Sequence, residues 1–114
     1  MRIFIICAVR NATDEFRSEL ESYVERLELL GHIVHLPHRD TDQEQAGLDI
    51  CKTNRDAIRA ADEVHVFYSP NSQGTHFDLG MAFAMGKGLV VVANVPYGPG
   101  KSYPRMIDEW AQCG

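Results

Sequence analysis

Asp78 is the side chain with the plainest chemical use, because it stands in a stretch, SPNSQGTHFDLG from Ser69 to Gly80, otherwise dominated by turn formers and hydroxyls. A carboxylate at the floor of a crevice can attack, or stabilise charge on, an electrophilic sugar carbon. Ser72, Gly74 and Thr75 can bring hydroxyl and backbone donors to the same place, and a helix start there would suit a phosphate or carboxylate guest. Arg10 and Lys101 could add positive charge. The pattern also has a purely architectural account, with Thr75 as N-cap and Asp78, three residues on, as an acidic residue that complements the helix dipole. No complete P-loop or dinucleotide-binding glycine pattern accompanies it.

The elements that must position these residues follow from apolar periodicity. Residues 3–9, IFIICAV, form a continuous apolar run, as a strand covered on both faces requires. After RNATD, the residues Phe16, Leu20, Tyr23, Val24, Leu27 and Leu30 recur at helical spacing, and Gly31 follows where a left-handed cap would fall. HIVHLP predicts a short strand ended by Pro37. The polar loop HRDTDQE has Thr41 and Glu44 at capping-box spacing, and a helix then carries Ile50, Asn54, Ala57, Ile58 and Ala61 on one face. EVHVFY predicts a third strand, residues from about His76 to Gly86 a third helix, GLVVVANV a fourth strand, and residues 104–112 a last helix with Pro104 near its start.

This alternation predicts an α/β fold: a three-layer, doubly wound sandwich around a parallel four- to five-stranded sheet, flavodoxin- or Rossmann-like, with strand order 2-1-3-4. The expected organisation is one domain over residues 1–114. In such folds ligands sit outside the carboxyl ends of the strands, so VRNAT, SPNSQGT and PYGPGKS should line one crevice. The third helix has two apolar stripes, Leu79, Ala82, Phe83 and Gly86 on one and Phe77, Met81, Ala84 and Met85 on the other. One stripe can cover the sheet, and the second predicts a homodimer or higher homo-oligomer through residues 76–86.

Composition narrows the classes of partner. With 45% hydrophobic and 24% charged residues the chain has an ordinary globular profile, and a net charge of -5 argues against a nucleic-acid partner, which calls for a clustered basic face. No apolar run approaches the ~20 residues that span a bilayer, so no membrane partner and a cytoplasmic location are expected. Cys7, Cys51 and Cys113 form no CxxC pair and read as reduced thiols. His32, His35 and His38 differ by odd steps, which on a strand sends consecutive members to opposite faces, so no metal or other cofactor is expected.

The segment AADEVHVFYSPNSQGTHFDLGMAFAMGKGLVVV resembles the core signature of the nucleoside 2-deoxyribosyltransferase superfamily: a strand, a Gly-containing turn, a carboxylate followed by Leu-Gly, and an Ala-rich helix ending in Gly-Lys. The opening IFIICAVRN is similar to the first strand and loop of the branch that hydrolyses 2'-deoxynucleoside 5'-monophosphates. The resemblance implies chemistry at the N-glycosidic bond of a small-molecule nucleoside or nucleotide. The family carboxylate before Leu-Gly attacks C1' of the deoxyribose, the base leaves, and a second base or water takes the sugar.

Asp78 occupies the nucleophile position, and Ser72, six residues earlier, matches the serine with which the monophosphate hydrolases help bind phosphate. Arg10 becomes a phosphate contact on the same argument. Two positions depart from the family. Its nucleophile is glutamate, so Asp78 sets the carboxylate back by about 1.5 Å. Its second acid lies eight positions before the Asp that opens the third strand, and counting back from Asp62 gives Asn54, a neutral amide that can orient a substrate but cannot act as a base.

Three readings stay open on the sequence. One is an N-glycosidase or deoxyribosyltransferase in which Asp78 and Asn54 act on the sugar and Arg10, Ser72, Gly74 and Thr75 hold the substrate. The second is a non-catalytic nucleotide-binding or sensing module with the same pocket. In the third, Asp78 only caps a helix and self-association is the role.

Overall fold

A computed structural model describes residues 1–113. Its elements run β1 (Arg2–Ile6), α1 (Asp14–Leu29), β2 (Ile33–His35), α2 (Pro37–Asp40), α3 (Gly47–Ala60), β3 (Glu63–Phe67), α4 (Gln73–Ala84), β4 (Gly88–Ala93) and α5 (Tyr103–Cys113). The four strands pair in parallel in the order β2-β1-β3-β4, as the alternation predicted. β1 therefore lies between β2 and β3, and the chain reverses its direction of travel across the sheet at β1, which opens a crevice at the carboxyl ends of β1 and β3.

Both faces of the sheet are covered, which is why β1 reads as an unbroken apolar run. Ile3, Ile5 and Cys7 pack with Leu20 and Val24 of α1, while Phe4 and Ile6 face the opposite way into a cluster with Ile58 of α3, Leu79 and Ala82 of α4 and Ile107 of α5. Each fully buried side chain of this size contributes about 2 kcal/mol. The polar member of the sheet core, His65, is satisfied where it sits: Nδ1 lies 2.6 Å from the Tyr23 hydroxyl and Nε2 lies 2.7 Å from Glu63 Oε1.

Helix ends follow local chemistry. Thr13 caps α1, its hydroxyl accepting from the Phe16 amide at 3.1 Å, and Gly31 closes it at φ 94° while the amides of Gly31 and His32 return to the carbonyls of Glu28 and Leu27. Pro37 ends β2 and opens α2, a one-turn helix inside the segment predicted as loop. The capping box expected at Thr41 and Glu44 does not form. Ala46 is the residue before α3, and the Thr41 hydroxyl is drawn inward to the side chain of Asn54 at 2.7 Å, a buried partner that an exposed cap could not supply. His38, placed on a strand by the sequence pattern, belongs to α2.

α4 also departs from expectation. It begins three residues early, with Ser72 rather than Thr75 as its cap: Ser72 is extended and its hydroxyl accepts from the Thr75 amide at 3.1 Å. The earlier start adds a turn of backbone hydrogen bonding, including His76 N–H to the Ser72 carbonyl. The two stripes do not divide as units between sheet and exterior: Leu79 and Ala82 of one and Met81 and Met85 of the other pack against the core, while Phe77, Ala84 and Phe83, which is 64% exposed and meets the edge of Trp110 at 5.3 Å, face outward. No helix among the described residues is long and apolar enough to cross a membrane.

Candidate functional site

A crevice of about 1070 Å³ opens where β1 and β3 end. Its walls are the loop after β1 (Ala8 to Thr13), the turn after β3 (Tyr68 to Gly74), and the first two turns of α3 together with Gln43. Asn11 makes the first loop turn sharply, with φ 61° in the left-handed region that Asn tolerates better than most residues. Ser72 turns the second loop into a helix start, and the leading N–H groups of α4 at Gln73 and Gly74 have no intrahelical acceptor.

Asp78 lines this crevice. It is 7% exposed, and burial pushes its carboxyl up to about 7 from an ordinary 3.8. The capping account fails for it: with Gln73 as the first helical residue Asp78 is the sixth, beyond the reach of the free amides of the first turn. Asp78 is thus a buried carboxylate that is not a cap and that faces a crevice, the kind of environment in which functional groups are enriched. Cys7 is its neighbour. Burial and the Asp78 charge push that thiol up to about 12, so it stays neutral.

The other expected residues divide clearly. Arg10, exposed at the rim, Ser72, Gly74 and Asn54 all line the crevice. Asn54 enters from α3, on the face it shares with Ile50 and Ile58, and is 7% exposed. Thr75 does not line it. Its side chain is fully buried behind the crevice wall, with its hydroxyl lacking a hydrogen-bond partner.

Lys101 and the loop PYGPGKS also lie outside the crevice wall. They follow β4, one strand further from the reversal point, and fold onto α5, where Tyr97 donates to Asp108 at 2.7 Å and the Arg105 guanidinium reaches the Pro99 carbonyl. The side they were expected to supply comes from Gln43, Gly47, Ile50, Cys51 and Asn54.

Several wall residues carried no signal of their own. Tyr68 directly follows β3 and lines the crevice, its hydroxyl 2.8 Å from His76 Nε2; His76 Nδ1 in turn lies 2.7 Å from the Ser72 carbonyl. This fastens the turn that carries Ser72 to the strand end beside it. The Tyr103 ring braces His76 edge-on at 5.0 Å, so α5 supports the wall without lining it. Phe16 and Phe77 add apolar surface to the wall. The one available clue to Tyr68 was its place at the carboxyl end of a central strand.

Solved structures share this architecture, among them the following three. A 2-deoxyribosyltransferase of Bacillus psychrosaccharolyticus superposes with a TM-score of 0.72 at 19% identity, over 96% of this chain and 82% of its own. A CMP N-glycosidase of Clostridium botulinum gives 0.69 at 23% identity over 97% and 83%, and a 2-deoxyribosyltransferase of Leishmania mexicana gives 0.66 at 20% over 90% and 79%. No curated protein matches the chain. The match to a family model is direct and covers most of the chain, including every crevice residue from Val9 onward: through residues 9–99, this chain belongs to the nucleoside 2-deoxyribosyltransferase family, whose members are enzymes of the N-glycosidic bond.

Proposed function

We propose that this chain, acting as a single domain over residues 1–114, cleaves the N-glycosidic bond of a nucleoside 5'-monophosphate, with Asp78 as nucleophile and water as the final acceptor. The observation that carries the reading is the position of Asp78, a carboxylate 7% exposed that lines the crevice beside the start of α4. In its ionised form it attacks C1' of the sugar; the bond to the base breaks as the carboxylate–C1' bond forms, and water then hydrolyses the glycosyl ester. Ser72, the free amides of Gln73 and Gly74, and Arg10 supply the donors and charge that a 5'-phosphate needs. The likeness to a CMP N-glycosidase supports phosphate and water over a second base. Asn54 orients the sugar or base by hydrogen bonding.

A second reading, a module that binds nucleotide without turning it over, is favoured by one feature. Asn54 is neutral where the family resemblance implies a second acid, so base assistance from that side is missing. Chromatography for free base separates the two, after incubating the protein and its Asp78→Ala variant with ribo- and deoxyribonucleoside 5'-monophosphates and the matching nucleosides. Base release by the parent that vanishes in the variant is the expected result. A folded parent that is stabilised by a nucleotide yet releases no base from any member overturns the hydrolase and leaves the sensor.

A further inference from the structure

Asn54 does not sit in the wall as a free amide. Its Oδ1 lies 2.7 Å from the Thr41 hydroxyl, and the same hydroxyl oxygen lies 2.7 Å from His35 Nε2. Thr41 is 3% exposed and the half-buried imidazole stacks on the Phe4 ring at 5.2 Å and 13°, so the three groups form a line from β2 to the crevice. A hydroxyl has one proton to give. If Thr41 donates it to Asn54 Oδ1, its lone pair must accept from His35, which places a proton on Nε2, and the Asn54 amide nitrogen is left as the end that faces the crevice.

We propose that His35 and Thr41 are positioning residues that lock Asn54 with its NH2 group toward the substrate, so that this wall reads a hydrogen-bond acceptor, such as a base carbonyl, a ring nitrogen or a hydroxyl lone pair. The polarity of the amide is thus set from behind, by two side chains that lie outside the crevice wall. The line has a definite direction. With the proton on His35 Nδ1 instead, Thr41 would donate to the ring, Asn54 would have to donate to Thr41, and its carbonyl would turn to the crevice. Charging His35 keeps the direction, because Nε2–H remains a donor. Asp40 and Arg39 flank the imidazole from the next turn, and Asp40 is itself occupied by the Leu36 amide at 2.9 Å and by Arg39.

The ligand half of this inference rests on the function proposed above, and the line itself does not, so the test has two arms. Long-range nitrogen–proton NMR spectra of the ligand-free full chain report the His35 tautomer; Nε2–H is expected, and Nδ1–H overturns the proposal. Titration with cytidine 5'-monophosphate then compares the parent with Thr41→Val and Thr41→Ser. Valine, which cannot hold the amide, should weaken binding about fivefold, while serine, which keeps the hydroxyl, should stay within about twofold of the parent. Equal binding by all three overturns the positioning role. If the parent fails to bind the nucleotide, the functional reading falls and the tautomer alone decides the line.

Discussion

Replacing Asp78 by asparagine should make the protein more stable and inactive together, with a pH dependence that identifies the cause. The folded-state carboxyl is raised to about 7 and the ordinary value is 3.8, so the native state holds a proton through a window in which the unfolded chain has released it. The sign follows from linkage: native protein binds more protons between about pH 4 and 7, so stability falls as pH rises across that window and is flat on either side of it. Three units at about 1.4 kcal/mol each give a cost of about 4 kcal/mol above pH 7, and Asp78→Asn removes it.

Even half of that, about 2 kcal/mol, raises the melting temperature of a domain this size by about 8 °C. Thermal melts of parent and variant, followed by circular dichroism from pH 4 to 8.5, read the difference directly and cancel the titration of every other group. The two should melt together near pH 4, diverge up to about pH 7 and keep a constant separation above it. A difference that stays constant across the range, or a parent that gains on the variant as pH rises, refutes the reasoning, because Asp78 would then ionise in the folded protein as it does in water.

Three other outcomes follow from the same structure. Base release should rise with pH to a plateau with a midpoint near 7, since the attacking form of Asp78 is the ionised one; a rate that is highest at pH 5 would assign Asp78 the role of an acid. Thr75→Val should leave stability unchanged or raise it by about 1 kcal/mol in urea unfolding, because the hydroxyl is fully buried without a partner; a loss of that size would mean that the hydroxyl is bonded. Phe77 and Phe83 are 55% and 64% exposed on α4, and we propose that they pair two copies of the chain. Sedimentation should find a dimer at micromolar concentration that Phe83→Glu dissociates, and a parent that sediments as a monomer throughout removes the interface.

Much of the fold was legible without coordinates, because it is written in local periodicity. An unbroken apolar run demands a strand covered on both sides, a 3.6-residue apolar repeat demands a helix, and strictly alternating elements joined by short links leave few ways to connect a parallel sheet. The strand order, the crevice at the carboxyl ends and the place of Asp78, Ser72, Gly74 and Arg10 in its wall follow from that regularity, whereas Asn54 was singled out by the family resemblance alone.

What tertiary structure alone decided were choices between equally good local partners. Ser72 and Thr75 are both competent caps, and packing set the start of α4 at Ser72, which carried Asp78 out of the first turn and buried Thr75. Thr41 had the spacing of a capping box, yet a side chain thirteen residues away in α3 offered its hydroxyl a buried bond, and the α2–α3 segment took the crevice side expected of the loop that carries Lys101. The raised pKa of Asp78 belongs to the same class. A carboxylate has an ordinary value in any sequence, and it is the exclusion of water by residues distant in the chain that moves it.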